Sequence, residues 1–356
     1  MWMFQDKITV KNRSTIVNEA GVEVAAQFPL IVSASRSTDI PAFYADWFFH
    51  RLKVGYSVWT NPFNGVRNYV SYEDIRFVVF WSKNPRPLLK HLDYLHERGI
   101  NCYIQFTLND YVNDGLEKRV PSVEERLDTF RELVDKLGKG RVIWRFDPLV
   151  LTDRIGVDDL VARIERIGDS LRGYTEKLVF SFVDIAAYKR VRANLDRNGI
   201  RYEEWTEQKM REFASKLADL NARWGYTLAT CGEKVDISEY GIVHNKCIDD
   251  DLIIRIAYED DILMKHLGVS IEPAGMFGPP EGGIDLGNGY YAVKSPAKKD
   301  KGQRQFCGCI SSKDIGEYNT CTHFCEYCYA NNSKEAALSN MERHRNNPYG
   351  ETITGK

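Results

Sequence analysis

The 356-residue chain carries 48 basic and 50 acidic residues for a formal net charge of -2, so no global basic field argues for nucleic acid and no acidic excess argues for disorder, while a local basic groove stays open. At this length one large α/β unit or two ordinary domains can bury a full core. The N-terminal Met1-Trp2-Met3-Phe4-Gln5-Asp6-Lys7 lacks the apolar core of a signal peptide, and no run approaches the roughly 18 apolar residues of a membrane span. The expectation is a cytoplasmic protein without a membrane partner, in whose reducing surroundings the eight cysteines serve as metal ligands or reactive thiols rather than disulfides.

Residues 1–27 are set aside as an N-terminal extension. From about 28 to 231, short β-branched and aromatic runs alternate with longer amphipathic stretches, the rhythm of βα units and a parallel sheet. Predicted strands cover 30–35, 56–60, 77–81, 102–107, 142–146, 178–183 and 226–230, with helices at 41–53, 86–98, 122–137, 157–171 and 204–223. Seven strands predict the α/β class and a full or partial (β/α) TIM-like barrel over 28–270. A helix is expected over 251–267. The stretch 272–302 is rich in Gly, Pro and Lys, as in Pro279-Pro280-Glu281-Gly282-Gly283, and predicts irregular surface chain. Residues 271–356 are expected to form a cysteine-rich segment packed on the barrel, with Arg343-His344-Arg345-Asn346-Asn347-Pro348 as a solvated tail.

Polar residues cluster just past the predicted strand ends: Arg36 and Asp39, Asn61 and Asn64, Lys83 and Asn84, Arg145 and Asp147, Asp184, then Cys231 and Glu233. Loops at the carboxyl ends of parallel barrel strands converge on one mouth, where active sites are built. Turns and helix caps are polar in any case, but so many strand ends together carry more weight than one. Arg36, Lys83 and Arg145 suit a carboxylate or phosphate, and Asp39, Asp147 and Asp184 suit hydroxyls or proton transfer. Arg145 and Asp147 fall on one face of an extended strand, which makes an ion pair plausible.

The strongest chemical pattern is Cys321, Cys325 and Cys328, spaced C-x3-C-x2-C. Three thiolates on one loop can hold three irons of a cubane cluster and leave the fourth open, whereas structural clusters and zinc sites normally take four protein ligands. The competing reading is a zinc knuckle completed by Cys307 or Cys309. Cys231, Cys247, Cys307 and Cys309 could form a second four-thiolate site, [4Fe-4S] or zinc; otherwise Cys231 and Cys247 are small buried hydrophobes. Cys102, within a predicted strand, belongs to the core. His323 either supports a cluster or is an exposed bystander.

The same spacing, with Tyr327 before the last cysteine, resembles the signature of the radical S-adenosylmethionine superfamily. That resemblance implies a [4Fe-4S] cluster on the three cysteines, the methionine amine and carboxylate of S-adenosylmethionine on the fourth iron, reductive cleavage to a 5′-deoxyadenosyl radical, a full or partial (β/α) barrel, and an electron donor such as a flavodoxin or ferredoxin. The superfamily carries its motif after the first strand; here it follows all predicted strands, so either the loop folds back over the barrel mouth or the chemistry differs. A longer resemblance, carried by Ser33-Ala34-Ser35-Arg36-Ser37-Thr38-Asp39-Ile40-Pro41-Ala42-Phe43-Tyr44, Phe80-Trp81-Ser82-Lys83-Asn84-Pro85, Trp144-Arg145-Phe146-Asp147-Pro148 and Cys307-Gly308-Cys309 through Cys328-Tyr329-Ala330, is to domain-of-unknown-function family 1848. Members of that family carry a C-terminal cysteine cluster likened to the radical S-adenosylmethionine motif. A nucleic-acid or nucleotide substrate enters only through the photolyase-like description sometimes given to the family.

On these readings Arg36, Asp39, Lys83, Arg145 and Asp147 are the candidate catalytic residues, and Tyr327, Asn84 and Asp184 the candidate cofactor-binding residues. The rivals are an iron–sulfur protein using its cluster for electron transfer or Lewis-acid chemistry without S-adenosylmethionine cleavage, and a zinc-stabilised binding module.

Overall fold

The structure, a computed structural model, describes residues 14–61, 64–275, 278–295, 300 and 307–355. Eight parallel strands form its main sheet: β1 Ile31–Ala34, β2 Phe77–Ser82, β3 Asn101–Thr107, β4 Val142–Leu149, β5 Lys177–Phe182, β6 Thr227–Thr230, β7 Val243–His244 and β8 Lys313–Asp314. Their spatial order is β7-β6-β5-β4-β3-β2-β1-β8. Neighbours therefore follow the chain except at β8, which crosses from the C-terminal segment to pair Lys313 with Val32 and Asp314 with Ser33. The fold is α/β with a large parallel sheet, and no pairing joins β7 to β8 among the described residues.

Alternation along the strands divides the sheet into two apolar faces. One face presents Val32, Val78, Ile104, Trp144, Phe180 and Leu228 to the crossover helices, including Ala45–Val54, Val123–Leu137, Val157–Ser170 and Glu207–Asn221. Cys102 lies in this core, as expected, and burial pushes its thiol up to about 12. The opposite face presents Ile31, Phe77, Val79, Tyr103, Ile143, Val179 and Ala229, covered by Ile253 and Ile254 of helix Asp250–Ala257 and Leu263 and Met264 of helix Asp261–Leu267. Further along that second face the alternating positions turn polar: Trp81 and Lys83, Gln105 and Thr107, Arg145 and Asp147, Ser181. The apolar plug fills the amino end and leaves the carboxyl end for the site.

Several local expectations are corrected. Tyr56–Thr60 is a strand, but it pairs antiparallel with Arg67–Ser71 in a separate four-stranded sheet with Thr15–Val17 and Glu23–Gln27. Its alternation matches that of a parallel edge strand, so periodicity cannot tell the two apart. The expected helix 251–267 is two helices separated at 258–260, where Asp260 caps the second. Within 272–302, Val269–Pro273, Ile284–Asp285 and Tyr290–Lys294 form a three-stranded antiparallel sheet, while 296–299 and 301–302 lie outside the described residues. The anticipated tail is an ordered element: helix Lys334–Asn346, capped by Ser333, buries Ala337, Met341 and His344. Beyond it, the Trp47 indole donates to the Gly350 carbonyl at 2.8 Å and the Val58 amide to that of Glu351 at 2.8 Å. Polar composition hid this helix because only one narrow stripe of it is buried.

Candidate functional site

A cavity of about 590 Å³ opens at the carboxyl ends of the strands. It is lined by seven of the eight cysteines, Cys231, Cys247, Cys307, Cys309, Cys321, Cys325 and Cys328, and by Arg36, Asp39, Lys83, Arg145, Asp147, Asp184 and Tyr327. Of the candidate residues named from the sequence, Asn84 stands apart from the lining; its amide donates to the Ser82 hydroxyl at 2.9 Å within the turn after β2. The C-terminal cysteine loop thus lies at the strand ends despite following the whole sheet in sequence.

Backbone pairing explains how the loop gets there. β8 extends the sheet beside β1, and Asp314 accepts from the Ser33 hydroxyl and the Arg36 amide, each at 3.0 Å. Gly316 follows at a point where a Cβ would stand 1.7 Å from the Ser35 hydroxyl oxygen, so only glycine passes there. Thr38 donates to the Glu317 carbonyl at 2.8 Å, and Tyr44 to that of Thr320 at 2.7 Å. The cysteine-bearing stretch then aligns antiparallel with the segment after β3: the Glu326 amide donates to the Leu116 carbonyl at 2.9 Å and the Arg119 amide to that of His323 at 3.2 Å.

Two buried polar groups lock this loop. Asp39 caps helix Ile40–Phe43 through the Ala42 amide at 3.0 Å, accepts from the Ser82 hydroxyl at 2.6 Å and the Lys83 amide at 2.8 Å, and meets His323 Nε2 at 2.8 Å. Burial opposes its ionisation, yet the His323 and Ser82 hydrogen bonds hold its carboxyl below the usual range. His323 Nδ1 lies 3.1 Å from the Arg119 carbonyl, and the side chain is 2 % exposed, so the exposed-bystander reading is corrected. The second group centres on Glu117, which is fully buried. It receives Lys83 Nζ at 2.7 Å, Asn109 Nδ2 at 3.1 Å and the Tyr327 hydroxyl, with Arg126 Nη1 at 3.8 Å. Against the cost of burial, the charges of Lys83 and Arg126 hold this carboxyl at about 2. Asp39, Lys83 and Tyr327 therefore have their polar atoms committed to positioning the loop.

The other cysteines come together from three segments. Cys231 Sγ and Cys247 Sγ lie 3.3 Å apart, and Cys307 and Cys309 line the same cavity. The Cys247 and Ile248 amides donate to Cys309 Sγ at 3.2 and 3.3 Å. Arg145 Nη1 and Asn245 Nδ2 donate to Cys247 Sγ at 3.3 and 3.2 Å. Hydrogen bonds from Cys231 and Cys309, helped by Arg145, draw the Cys247 thiol down against burial, and one from Cys309 draws Cys307 down to about 6. In the C-terminal loop, burial pushes Cys321, Cys325 and Cys328 up.

Arg145 forms the expected pair with Asp147 through its other nitrogen, and the Ser181 hydroxyl donates to the second Asp147 oxygen. The guanidiniums of Arg36 and Arg145 both pack on the Trp81 ring, 5.5 and 5.3 Å from its centroid. Asp184 lies on the cavity wall, where one oxygen accepts from the Ala187 amide at 2.9 Å. Glu117, Asn109 and Ser181 were not singled out from the sequence. Asn109 obeys the rule of polar groups just past a strand end and Ser181 the alternation of β5; nothing local marks Glu117.

The sequence matches the family described as Domain of unknown function (DUF1848) over residues 31–330. The chain belongs to that family. The DUF1848 match begins at the first residue of β1 and ends two residues past Cys328, so the family unit holds both the sheet and the cysteine loop that folds onto it. No curated protein matches the chain. Among the described residues of this DUF1848 chain, no helix is long and apolar enough to cross a membrane.

Proposed function

We propose that this chain is an iron–sulfur enzyme of the radical S-adenosylmethionine type, with Cys321, Cys325 and Cys328 as the protein ligands of a [4Fe-4S] cluster. The observation that carries this reading is the return of the cysteine loop to the carboxyl ends of the parallel strands, so that three thiols and the strand-end polar groups share one cavity. Its volume of about 590 Å³ is in the range of small-molecule sites.

The donor set fits such a cluster. Among the described residues, the ligand atoms found mutually within 4.8 Å in groups of three or more are those of Asp249, Asp250 and Asp251, not the cysteine sulfurs. A single zinc with bonds near 2.3 Å would gather its thiolates to about 3.8 Å of one another, and no three cysteine sulfurs among the described residues stand that close together. When bound, a cluster with one iron free of protein supplies the reductive cleavage of S-adenosylmethionine. The chain's own residues then divide their work. The Asp39–His323 pair and the Lys83–Glu117–Tyr327 network fix the loop, while Asp184 stands on the cavity wall towards a substrate, and Asp147 and Glu233, held by Arg145, Ser181 and the Phe182 amide, shape the same wall. Arg36 and Arg145 bring positive charge to the same wall for an anionic group.

The test is anaerobic purification, reduction in the presence of S-adenosylmethionine, and chromatographic detection of 5′-deoxyadenosine. The expected result is its formation by the intact chain and its loss in a variant with Cys321, Cys325 and Cys328 all changed to Ala. A protein that carries iron and sulfide yet yields no 5′-deoxyadenosine with several reductants would overturn the reading in favour of a cluster used without S-adenosylmethionine cleavage.

A further inference from the structure

Four cysteines take no part in the reading above, and nothing in their local sequence requires them to meet. Cys231 follows β6, Cys247 follows β7, and Cys307 and Cys309 lie on the chain leading to β8, yet all four line one cavity, with Cys231 Sγ 3.3 Å from Cys247 Sγ and the Cys247 amide 3.2 Å from Cys309 Sγ. We propose that Cys231, Cys247, Cys307 and Cys309 hold a second iron–sulfur cluster, closed by four thiolates, beside the first. This assignment goes beyond the proposed reaction and stands whether or not S-adenosylmethionine is cleaved.

Two of these sulfurs, Cys247 and Cys309, sit among hydrogen-bond donors rather than in purely apolar packing. A neutral thiol is a weak acceptor, but here four donors converge on two sulfurs: two backbone amides on Cys309, and a guanidinium and an amide side chain on Cys247. Donors of this kind orient ligands and stabilise their charge at metal centres. Arg36 supplies a second, independent sign. Its Nη2 is buried with no hydrogen-bond partner among the described residues, and the residue lines the same cavity as Cys247, Cys307 and Cys309. An unpartnered buried guanidinium nitrogen is costly; a sulfur of a cluster at this place would satisfy it.

Charge points the same way. Four clustered thiolates alone would be costly, whereas a doubly positive cubane core leaves two negative charges on the set, beside Arg36 and an Arg145 that also pairs with Asp147. No three of the four sulfurs lie mutually within 4.8 Å among the described residues, although Cys231 Sγ and Cys247 Sγ are 3.3 Å apart. With four protein ligands this centre has no open iron, in contrast to the three-cysteine loop.

Iron and acid-labile sulfide in the anaerobically purified full chain test the assignment. About eight irons per chain are expected, with about four retained, together with a [4Fe-4S] electron paramagnetic resonance signal after reduction, in the Cys321→Ala, Cys325→Ala, Cys328→Ala variant. A folded triple variant, judged by a cooperative thermal transition, that holds no iron overturns the proposal, as does zinc in place of the second four irons. Should that variant not fold, the intact chain decides: four irons rather than eight overturn it. Loss of 5′-deoxyadenosine formation alone leaves these counts unchanged, so the two readings fail separately.

Discussion

Cys321, Cys325 and Cys328 share one short loop, and other parts of the molecule come to hold that loop: β8 beside β1, Asp39 on His323, and Lys83 and Glu117 on Tyr327. Cys231, Cys247, Cys307 and Cys309 are the reverse, three separate segments that reach one cavity only because the sheet brings them there. For the first group the set of cysteines is local and its placement is global. For the second the placement of each cysteine near a strand end is local, and the set itself is global. The supports differ too: carboxylates anchor the loop cysteines, while arginines and amide donors surround the others.

That contrast can be broken from either side. The largest effect is expected for Glu117→Gln, which leaves the buried charges of Lys83 and Arg126 without their carboxylate; breaking a buried pair in this way costs about 3–5 kcal/mol, read by urea unfolding. Iron bound at Cys321, Cys325 and Cys328 should fall while the other centre keeps its metal, and a change under about 1 kcal/mol would show that the network does not hold the loop. Gly316→Ala should follow, because its Cβ meets Ser35 Oγ at 1.7 Å and overpacking of this kind costs about 1–3 kcal/mol. Its signature is faster hydrogen exchange across 313–330, with exchange in β3 to β5 unaltered.

Asp39→Asn keeps the shape but weakens the contact to His323, for a loss of about 1–3 kcal/mol. The check is thermal unfolding beside a His323→Ala variant and the double variant; additive losses would mean the two side chains do not act together. The smallest effect belongs to the other side of the comparison. Asn245→Ala removes one of four donors to the second sulfur group and should cost about 1 kcal/mol or less, with iron content unchanged and the visible spectrum shifted. Full loss of the second centre's iron in this variant would give Asn245 a far larger part than its single bond at 3.2 Å suggests.

Six of the eight strands were legible in the sequence because runs of Val, Ile and aromatic residues mark them. β7 and β8, two residues each, are too short to carry a period. Tyr56–Thr60 was legible as a strand and not as a member of a different sheet, since pairing partners are not written locally. At the site, the rule of polar residues past strand ends found Arg36, Lys83, Arg145 and Asp147, because loops at that end converge on one cavity. It also included Asn84, whose amide serves its own turn. It could not show that Asp39 and Lys83 spend their polar atoms on the loop, because their partners His323 and Glu117 stand far away in sequence.

The pairing of β8 with β1 has a consequence for the order of assembly. As the chain leaves the ribosome, the outer edge of Ile31–Ala34 must wait for residues 313–314, with Asp314 281 positions after Ser33, before it gains its second neighbour. A waiting strand edge is a template for wrong partners, and the cysteine loop cannot dock until that edge is filled. Docking of the loop is thereby tied to the arrival of residues 313–314 at that edge, so the cavity wall that carries Cys321, Cys325 and Cys328 closes only after the sheet has taken up β8.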